Sequence, residues 1–374
     1  MKVLHLIDSG GLYGAEKMLL SLVEEQLTQG LEPMILSAGE TGIDEKPLEA
    51  AAKEKGLPLT PWRMKSGLNL KESWNILKWA QANNFELLHS HGFKFNVLLG
   101  IYPERFRHIP MIATLHGYLH APCFSKLWVY ETLDRLAIHR MRGVVLVGEA
   151  MKKELPTGLS GSHAVVIPNG LNISELQESA LTPLEEPFKS FFAKHDIVIL
   201  GVGRLSPEKG FDRLICAFSE LKKRLPNSGL VIVGEGGLRQ ELEALIDELG
   251  ISHDALMPGY CNAVPALLKH SKVLVMPSLT EGLPITLLEA MALKTPVVAS
   301  DVGEISRVLC DGQGGEILGD VKPETILRAV KKSLAEKGLS NRRVNEAYLT
   351  VCNSYSSKAM ADGYIEFYNK IFSI

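Results

Sequence analysis

The chain has 374 residues, of which 46% are hydrophobic and 22% are charged, and its formal net charge at pH 7 is -3. This length predicts two domains of ordinary size, and the composition is that of a folded protein and excludes a disordered chain. The small negative charge excludes a general affinity for nucleic acid.

Five cysteines, widely spaced and without a C-x-x-C pair, argue against a zinc site or a disulfide framework and favour a reducing compartment. The first apolar run, VLHLI, is too short for a signal peptide, and no other run approaches about 18 apolar residues. We therefore expect a cytoplasmic protein, with any contact at the inner face of the cytoplasmic membrane being peripheral.

The first half of the chain alternates short apolar runs with helix-periodic stretches, which is the pattern of βαβ units around a parallel sheet. It predicts the strands VLHLI (3–7), EPMILS (32–37), LLHSH (87–91), MIATLH (111–116), GVVLVG (143–148) and HAVVIPN (163–169).

Two features of this half are candidates for ligand contact. The turn SGGLYGAEK places Gly10, Gly11 and Gly14 between the first strand and the first helix, where backbone can approach phosphates, although a plain turn explains them about as well. His116 ends a strand and is able to donate to a sugar hydroxyl or act as an acid or base, while a structural histidine is the commoner case. His91, in HSHG, is similarly placed and is the weaker candidate.

The segment Phe93 to Arg142 carries seven basic side chains against three acidic ones, with aromatic residues between them. Such a mixture would suit an anionic lipid surface or an anionic acceptor. Residue type alone favours the alternative, with aromatics in the core and bases in water.

The pattern fades between Asn169 and about Pro187, which predicts an interdomain linker. A second α/β series then begins with the strands DIVILGVGR (196–204), GLVIVGEG (229–236), KVLVMPS (272–278) and TPVVASD (295–301). We expect an N-terminal domain at 1–170, a linker at 171–190 and a C-terminal domain at 191–354, with a cleft between the two domains. The amphipathic helix at about 355–374 is expected to pack back on the first domain.

The stretch GVGRLSPEKGFDRL follows a strand and leads into a helix, so Arg204 and Lys209 are expected on a loop at the carboxyl edge of a sheet, where open α/β sheets bind ligands. Two cations beside a helix start suit a diphosphate, although solvated loop charges are an equal alternative. Neither GVGRLS nor GEGG completes a dinucleotide fingerprint, so no nicotinamide cofactor is expected.

The stretch EGLPITLLE carries two carboxylates eight residues apart. We expect Glu281 in a loop and Glu289 inside a helix that starts at about Leu283, with Pro284 in its first turn. Two acids spaced in this way suit the hydroxyls at the two ends of a nucleotide sugar. Glu289 stands between apolar neighbours, where an unpaired acid would be costly, and this weakens the alternative of a solvated surface charge.

Together, GRLSPEKGFD, PGYCNAVPALLKHSKVLVMPSLTEGLPITLLEAMA and PVVASDVG resemble the donor-site sequence of GT-B glycosyltransferases of the family 4 type, including its E-x7-E. The resemblance implies an α/β fold of GT-B architecture, with two Rossmann-like doubly wound parallel-sheet domains facing a central cleft. It implies that Arg204 and Lys209 bind the donor diphosphate, that Glu281 holds the transferred sugar, that Glu289 holds the ribose and that His116 lies near the donor sugar.

The resemblance also implies substrate contacts that are made largely through backbone groups, by Gly11, Gly14, Gly203, Gly259, Tyr260, Gly282, Leu283 and Pro284. Two departures affect it. Tyr13 and Gly14 stand where relatives often have paired glycines, and Glu304 and Arg307 occupy a stretch where relatives commonly have a glycine pair and a later glutamate.

The function implied is a retaining glycosyltransferase that moves a hexose from a nucleotide diphosphate sugar, UDP-linked by preference, to a hydroxyl of a glycan or lipid-linked acceptor. No metal and no other cofactor is expected, because the chain contains no D-x-D. Two alternatives stay open, a nucleotide-sugar epimerase of the same fold and a catalytically silent nucleotide-sugar binding protein.

Overall fold

The computed structural model describes residues 1–8, 11–65, 67, 69–116, 126–155, 163–335 and 337–373, with the backbone alone for 126–130, 150, 154, 337 and 339. The chain forms two compact units, one of Met1–Gly170 with Ser357–Ile374 and the other of Leu171–Ser356. No helix among the described residues is long and apolar enough to cross a membrane. Gly10 lies outside the described residues, and several members of the basic and aromatic segment lie outside them or have undescribed side chains, namely Tyr118, Phe124, Lys126, Trp128 and Tyr130.

The first unit contains a seven-stranded parallel sheet in the order β3-β2-β1-β4-β5-β6-β7. Its strands are β1 (Lys2–Asp8), β2 (Glu32–Glu40), β3 (Leu59–Met64), β4 (Leu87–Ser90), β5 (Met111–Leu115), β6 (Gly143–Leu146) and β7 (Ala164–Val166). Its helices are α1 (Gly14–Thr28), α2 (Pro47–Glu54), α3 (Leu70–Ala82), α4 (Phe93–Gly100), α5 (Glu104–Arg107), α6 (Lys126–Ile138) and, from the end of the chain, α16 (Ser357–Phe372).

The second unit contains a six-stranded parallel sheet in the order β10-β9-β8-β11-β12-β13. Its strands are β8 (Ile197–Val202), β9 (Ser228–Val233), β10 (Ala255–Gly259), β11 (Val273–Met276), β12 (Val297–Ser300) and β13 (Glu316–Leu318). Its helices are α7 (Ile173–Ser179), α8 (Phe188–Lys194), α9 (Phe211–Lys222), α10 (Arg239–Glu248), α11 (Val264–His270), α12 (Ile285–Ala292), α13 (Ile305–Val308), α14 (Pro323–Ala335) and α15 (Lys337–Ser354).

The central strands of the second sheet are largely apolar because both faces of the sheet are covered there. In β9, Leu230 and Ile232 pack into one hydrophobic cluster, while Val231 and Val233 pack into the cluster on the opposite face. This alternation is the period of two that a strand imposes on its side chains. In β1 of the first sheet, Leu4 and Leu6 likewise pack on one face and Val3 on the other, so both sheets are covered on two faces.

Three edge or near-edge strands were not predicted from the sequence. β3 reads LTPWRM, is mostly half-exposed and contains a proline, which is tolerated at a sheet edge. β10 and β13 are also mostly half-exposed and carry few consecutive apolar residues. The segment interpreted as a linker differs from prediction too, because it contains α7 and the start of α8, whose Leu176 and Phe188 are buried in the core of the second unit.

In the basic and aromatic segment of the first unit, some aromatic and basic side chains are buried and others are exposed. Phe95 is buried, but Phe93 and Phe106 are about half exposed. Arg107, expected in water, is fully buried, and its guanidinium donates to the Arg140 carbonyl at 3.2 Å. Burial lowers the pKa of Arg107 to about 10.

A buried network of hydrogen bonds joins the first sheet to the C-terminal helix α16. Gln26 lies between His5 Nε2 (2.8 Å) and the Tyr368 hydroxyl (3.1 Å). His89 lies between the same hydroxyl (2.7 Å) and Thr114 Oγ1 (2.7 Å). Because each of these groups is buried, each hydrogen bond avoids the cost of an unsatisfied polar atom, which is about 1–3 kcal/mol.

Burial keeps the histidines of this network neutral. It lowers the pKa of His5 to about 4, an effect opposed by the hydrogen bond to Gln26, and it lowers the pKa values of His89 and His91 well below the usual value. In the unfolded chain these side chains take up protons near pH 6.5. The unfolded state therefore binds more protons than the folded state below that pH, and folding stability falls as the pH decreases.

We predict that the melting temperature falls between pH 7 and pH 4.5 and that His5→Asn has a shallower dependence on pH than the unsubstituted protein. His5 alone accounts for a loss of about 3 kcal/mol near pH 4, because its pKa differs by about 2.5 between the two states. Circular dichroism melts over this pH range provide the measurement. His253→Asn, at an exposed position, serves as the control and should leave the dependence unchanged. Equal slopes in both variants would contradict the prediction.

Candidate functional site

The loop from β8 to α9 places Arg204 and Lys209 at the carboxyl edge of the second sheet. Gly203 N–H donates to the Val233 carbonyl at 2.9 Å, and Leu205 is fully buried, so the first part of the loop is pinned to the unit. Gly210 has φ +65°, and a Cβ at this position would approach the Pro277 carbonyl oxygen to 2.3 Å. A larger residue would therefore strain the turn that follows Lys209.

The loop from β11 to α12 brings Glu281 against Lys209. Lys209 Nζ lies 2.5 Å from Glu281 Oε1, and the Ser278 hydroxyl donates to the same oxygen at 2.7 Å. The two charged side chains are 21% and 9% exposed, respectively. The pair is therefore largely withdrawn from water, where charges interact more strongly than at an open surface. Arg204 is exposed and makes no ion pair within the described part of the chain.

A third loop, which follows β12, packs against the backbone of the Glu281 loop. Gly303 has φ +59°, and a Cβ on it would lie 2.2 Å from the Glu281 carbonyl oxygen. The Glu304 N–H donates to the Gly282 carbonyl at 3.1 Å. Glu304 also forms an ion pair with Arg307 at 2.6 Å, so both residues that depart from the expected motif are held locally at the start of α13.

Helix α12 begins at Ile285, two residues later than expected. Pro284 is extended, with ψ 122°, and immediately precedes the helix. Leu283 stays outside the helix because a proline disfavours the helical conformation in the residue before it. Glu289 is on the second turn of α12, half-buried between the fully buried Leu288 and Ala290.

Gly259 ends β10 with φ +95°, and a Cβ on it would approach Glu235 Oε1 to 2.4 Å. The next residue, Tyr260, is 78% exposed. Arg239 binds the Glu235 carboxylate at 2.9 Å and lowers its pKa, with a smaller effect from the Tyr260 N–H. The structure thus presents an exposed aromatic ring beside a neutralised carboxylate, on the same sheet edge as Arg204.

In the first unit, the glycine turn and His116 lie at the carboxyl ends of β1 and β5. Gly11 is buried and faces the Tyr13 ring, whereas Gly14 opens α1 with no atom within 4 Å of the position of a Cβ. Open space at the start of a 15-residue helix is compatible with the predicted approach of a phosphate at Gly14. At Gly11 the tyrosine ring occupies that space.

His116 Nε2 and His91 Nδ1 are buried and have no hydrogen-bond partner among the described residues. The two rings lie 6.3 Å apart, and His91 Nε2 is 3.0 Å from His5 Nδ1. Burial lowers the pKa of His116 to about 4, with an opposing effect of Glu16, so its imidazole is neutral at pH 7. A neutral imidazole offers a hydroxyl one donor and one acceptor.

One group of described side chains has the spacing of metal ligands, namely His5, His89 and His91. Both ring nitrogens of His5 and of His89 already have hydrogen-bond partners in the protein. A cation would have to break these buried bonds to gain its ligands. The geometry therefore fits a polar network better than a metal site.

The structure brings Lys209 and Glu281 together and places Arg204, Gly203, Gly259, Tyr260, Gly282, Leu283, Pro284 and Glu289 on loops or helix starts along the same edge of the second sheet. Ser278 and Gly303 were missed by sequence reasoning. Ser278 follows a strand directly, and Gly303 stands in the stretch already noted as a departure from the motif, so each carried a weak signal.

Comparisons with known proteins bear on the family and the fold. The family model described as Glycosyltransferase Family 4 matches residues 13–175, and the one described as Glycosyl transferases group 1 matches residues 184–350. An uncharacterized glycosyltransferase of Methanocaldococcus jannaschii is 36% identical over 136 residues, but the match spans 36% of this chain and only a third (33%) of that protein.

Two further proteins match nearly the whole chain. The 2-deoxystreptamine glucosyltransferase of Streptomyces kanamyceticus is 27% identical over 84% of this chain and 85% of its own length. The solved structure of Anabaena Alr3699/HepE in complex with UDP covers 99% of this chain and 100% of that chain, with a TM-score of 0.75 at 17% identity. This last likeness shows a shared fold.

We predict that Gly303→Ala lowers the free energy of unfolding by about 1–3 kcal/mol, because it combines a left-handed backbone with a clash against the Glu281 loop. Denaturant unfolding followed by fluorescence gives the measurement. The control is Gly237→Ala, where no atom lies within 4 Å and the backbone is not left-handed, and it should change stability by less than about 0.5 kcal/mol. Equal stability of the two variants would show that Gly303 is not constrained.

Proposed function

Because the chain belongs to the GT-B glycosyltransferases of the family 4 type, we propose that it transfers a hexose from a UDP-sugar to a hydroxyl of a glycan or lipid-linked acceptor, with retention of configuration and without a metal ion. The observation that carries this proposal is the contact between Lys209 and Glu281 at the point where the strand order of the second sheet reverses. Open α/β sheets bind ligands at such points.

The two loops supply complementary charges to the two parts of a nucleotide sugar. Lys209 and Arg204 bind the diphosphate, and Glu281 accepts hydrogen bonds from the transferred sugar. In the unliganded protein Lys209 is neutralised by Glu281, which holds the ammonium in place for the phosphate. Glu289, on the second turn of α12, would accept from the ribose hydroxyls.

Transfer with retention places the acceptor on the face of the sugar from which the diphosphate leaves. The bond from the anomeric carbon to the phosphate oxygen breaks, the bond to the acceptor oxygen forms, and the acceptor proton passes to the departing phosphate oxygen. Lys209 and Arg204 stabilise the negative charge that develops on that phosphate. Neutral His116 would contact a sugar hydroxyl without adding charge.

The choice of uridine is supported by the neighbouring structure that contains UDP. Gly259 and the exposed Tyr260 are the proposed contacts of the base, since they lie at the end of a strand beside the diphosphate loop. The cations of the β8–α9 loop and the lack of any D-x-D in the chain support transfer without a divalent ion.

A cytoplasmic location with peripheral membrane contact is part of the proposal. Ile101, Phe106 and Leu136 of the first unit are exposed, and the Arg140 guanidinium donates to the Ile101 carbonyl at 3.1 Å. An apolar surface beside a cation suits the boundary of an anionic membrane.

We expect UDP, in the presence of a chelator, to raise the melting temperature more than GDP, ADP or CDP does. A ligand at about 100 times its dissociation constant stabilises the folded state by about 2.7 kcal/mol. Differential scanning fluorimetry with each nucleotide in turn is the measurement. A shift with GDP alone would overturn the uridine assignment, and a shift that requires added Mg²⁺ or Mn²⁺ would overturn metal independence.

Lys209→Ala should lower the turnover of the donor by about 10- to 100-fold, because it removes charge that stabilises the departing diphosphate. Release of UDP from UDP-glucose and other UDP-sugars provides the assay. Lys331→Ala, an exposed lysine on α14, is the matched control and should keep full turnover. Turnover of Lys209→Ala at the level of the control would remove Lys209 from the site.

A further inference from the structure

We propose that a cavity in the first unit is a subsite for one neutral sugar ring of the acceptor, with Asp8, Lys94 and Phe93 as its main contacts. This inference rests on the proposed function, since it names the acceptor class of the same enzyme. The cavity has a volume of about 230 Å³ and is lined by Asp8, Glu40, Gly67, Gly92, Phe93 and Lys94, among others. A single water needs about 10–15 Å³ by the same kind of measure, so there is room for a ligand ring.

The position of the cavity is the first argument. Asp8 ends β1, and Gly92, Phe93 and Lys94 follow β4. The strand order of the first sheet reverses between these two strands. The cavity therefore occupies in the first sheet the same topological place that the Lys209–Glu281 pair occupies in the second, where open α/β sheets receive ligands.

The charges around Asp8 give the second argument. Lys94 Nζ lies 2.7 Å from Asp8 Oδ2, and Lys46 Nζ lies 3.4 Å from Asp8 Oδ1. Lys46 is only 7% exposed and also donates to the Ala38 carbonyl, whereas Asp8 remains 32% exposed. The carboxylate thus keeps accepting capacity towards the cavity, and the partly exposed Lys94 keeps donors beside it.

A donor and an acceptor side by side match neighbouring hydroxyls, each of which donates and accepts. Asp8, Glu40 and Lys94 line the cavity, and Lys46 binds Asp8 from outside the lining, so these four described charges sum to zero. This balance offers no net attraction to a phosphate or carboxylate group. The lining therefore favours a neutral sugar over an anionic ligand.

The third argument is the ring of Phe93, which is 48% exposed at the start of α4 and lines the cavity. An aromatic face removes the C–H face of a sugar ring from water while the hydroxyls at the edge of the sugar reach Asp8 and Lys94. Gly92 leaves the approach to this ring open, with no atom within 4 Å of the position of a Cβ. A hydrocarbon chain in the same space would displace water from the carboxylate and return no hydrogen bond, so that Lys46 and Lys94 would be its remaining partners.

The experiment measures binding of the methyl glycosides of glucose, galactose and N-acetylglucosamine to the full chain by ligand-observed NMR, with and without UDP. At least one glycoside should bind, and both Asp8→Asn and Phe93→Leu should weaken that binding about tenfold, as expected for the loss of one hydrogen bond to a charged group or of one stacking face. Phe372→Leu, which shortens a similarly exposed phenylalanine on α16 that does not line the cavity, and Asp44→Asn, at an exposed aspartate, should bind as the unsubstituted protein does.

The outcomes separate this inference from the proposed function. If UDP raises the melting temperature but no glycoside binds, the subsite is wrong and the donor site stands. If a glycoside binds equally to Asp8→Asn, Phe93→Leu and the controls, its site lies elsewhere and the inference is overturned. If affinity rises with the length of an alkyl aglycone and is unchanged by Asp8→Asn, the cavity binds a lipid chain and the inference is overturned. Should Asp8→Asn fail to fold, Phe93→Leu decides the question because its side chain is half exposed.

Discussion

The contact between Lys209 and Glu281 depends on how closely three loops of the second unit approach one another. Lys209 follows β8 and Glu281 follows β11, and the strand order reverses between these two neighbours. The 2.5 Å separation of their charged atoms is possible because Gly210 and Gly303 admit the carbonyl oxygens of Pro277 and Glu281 where any Cβ would clash. Backbone packing, rather than the flexibility of a long side chain, thus presents both charges to a ligand.

Both units carry paired charges at the carboxyl edges of their sheets, but the first unit also contains buried, neutral histidines. In the second unit the central groups are charged and paired, which suits a diphosphate that brings its own negative charge. In the first unit burial holds His5 and His116 neutral, each with a pKa of about 4. The charges of Asp8 and Lys94 cancel and the histidine rings carry none, so these groups offer no net attraction to an anion and can select a ligand through hydrogen bonds.

Sequence reasoning found the features that are encoded by a continuous run of residues. The apolar strands β8 and β11 were predicted, as was the position of Glu281 in a loop, since strand, loop and helix follow one another directly in KVLVMPSLTEGLPITLLE. It missed β3, β10 and β13, because a half-exposed edge strand needs few apolar residues. The predicted start of α12 was wrong by two residues, since the effect of Pro284 on Leu283 outweighed helical periodicity.

Contacts between residues distant in the sequence could not have been predicted from spacing. Tyr368 approaches Gln26 across 342 positions, and Lys94 approaches Asp8 across 86. The packing of α16 against α1 brings the first pair together, and the order of the strands in the folded sheet brings the second pair together.

The surroundings of Asp8 show why these distant contacts matter for the choice of ligand. Its partner Lys46 is 7% exposed, and a charge so far from water is stable only while its partner and hydrogen bonds remain in place. A ligand that entered the neighbouring cavity would remove water from Asp8 as well. A hydrocarbon chain would displace this water without replacing its hydrogen bonds to the carboxylate, which would keep only its two lysine partners. A sugar would replace the lost hydrogen bonds with those of its own hydroxyls. The desolvation of one carboxylate therefore discriminates between the two classes of acceptor, because it penalises the lipid chain more than the sugar.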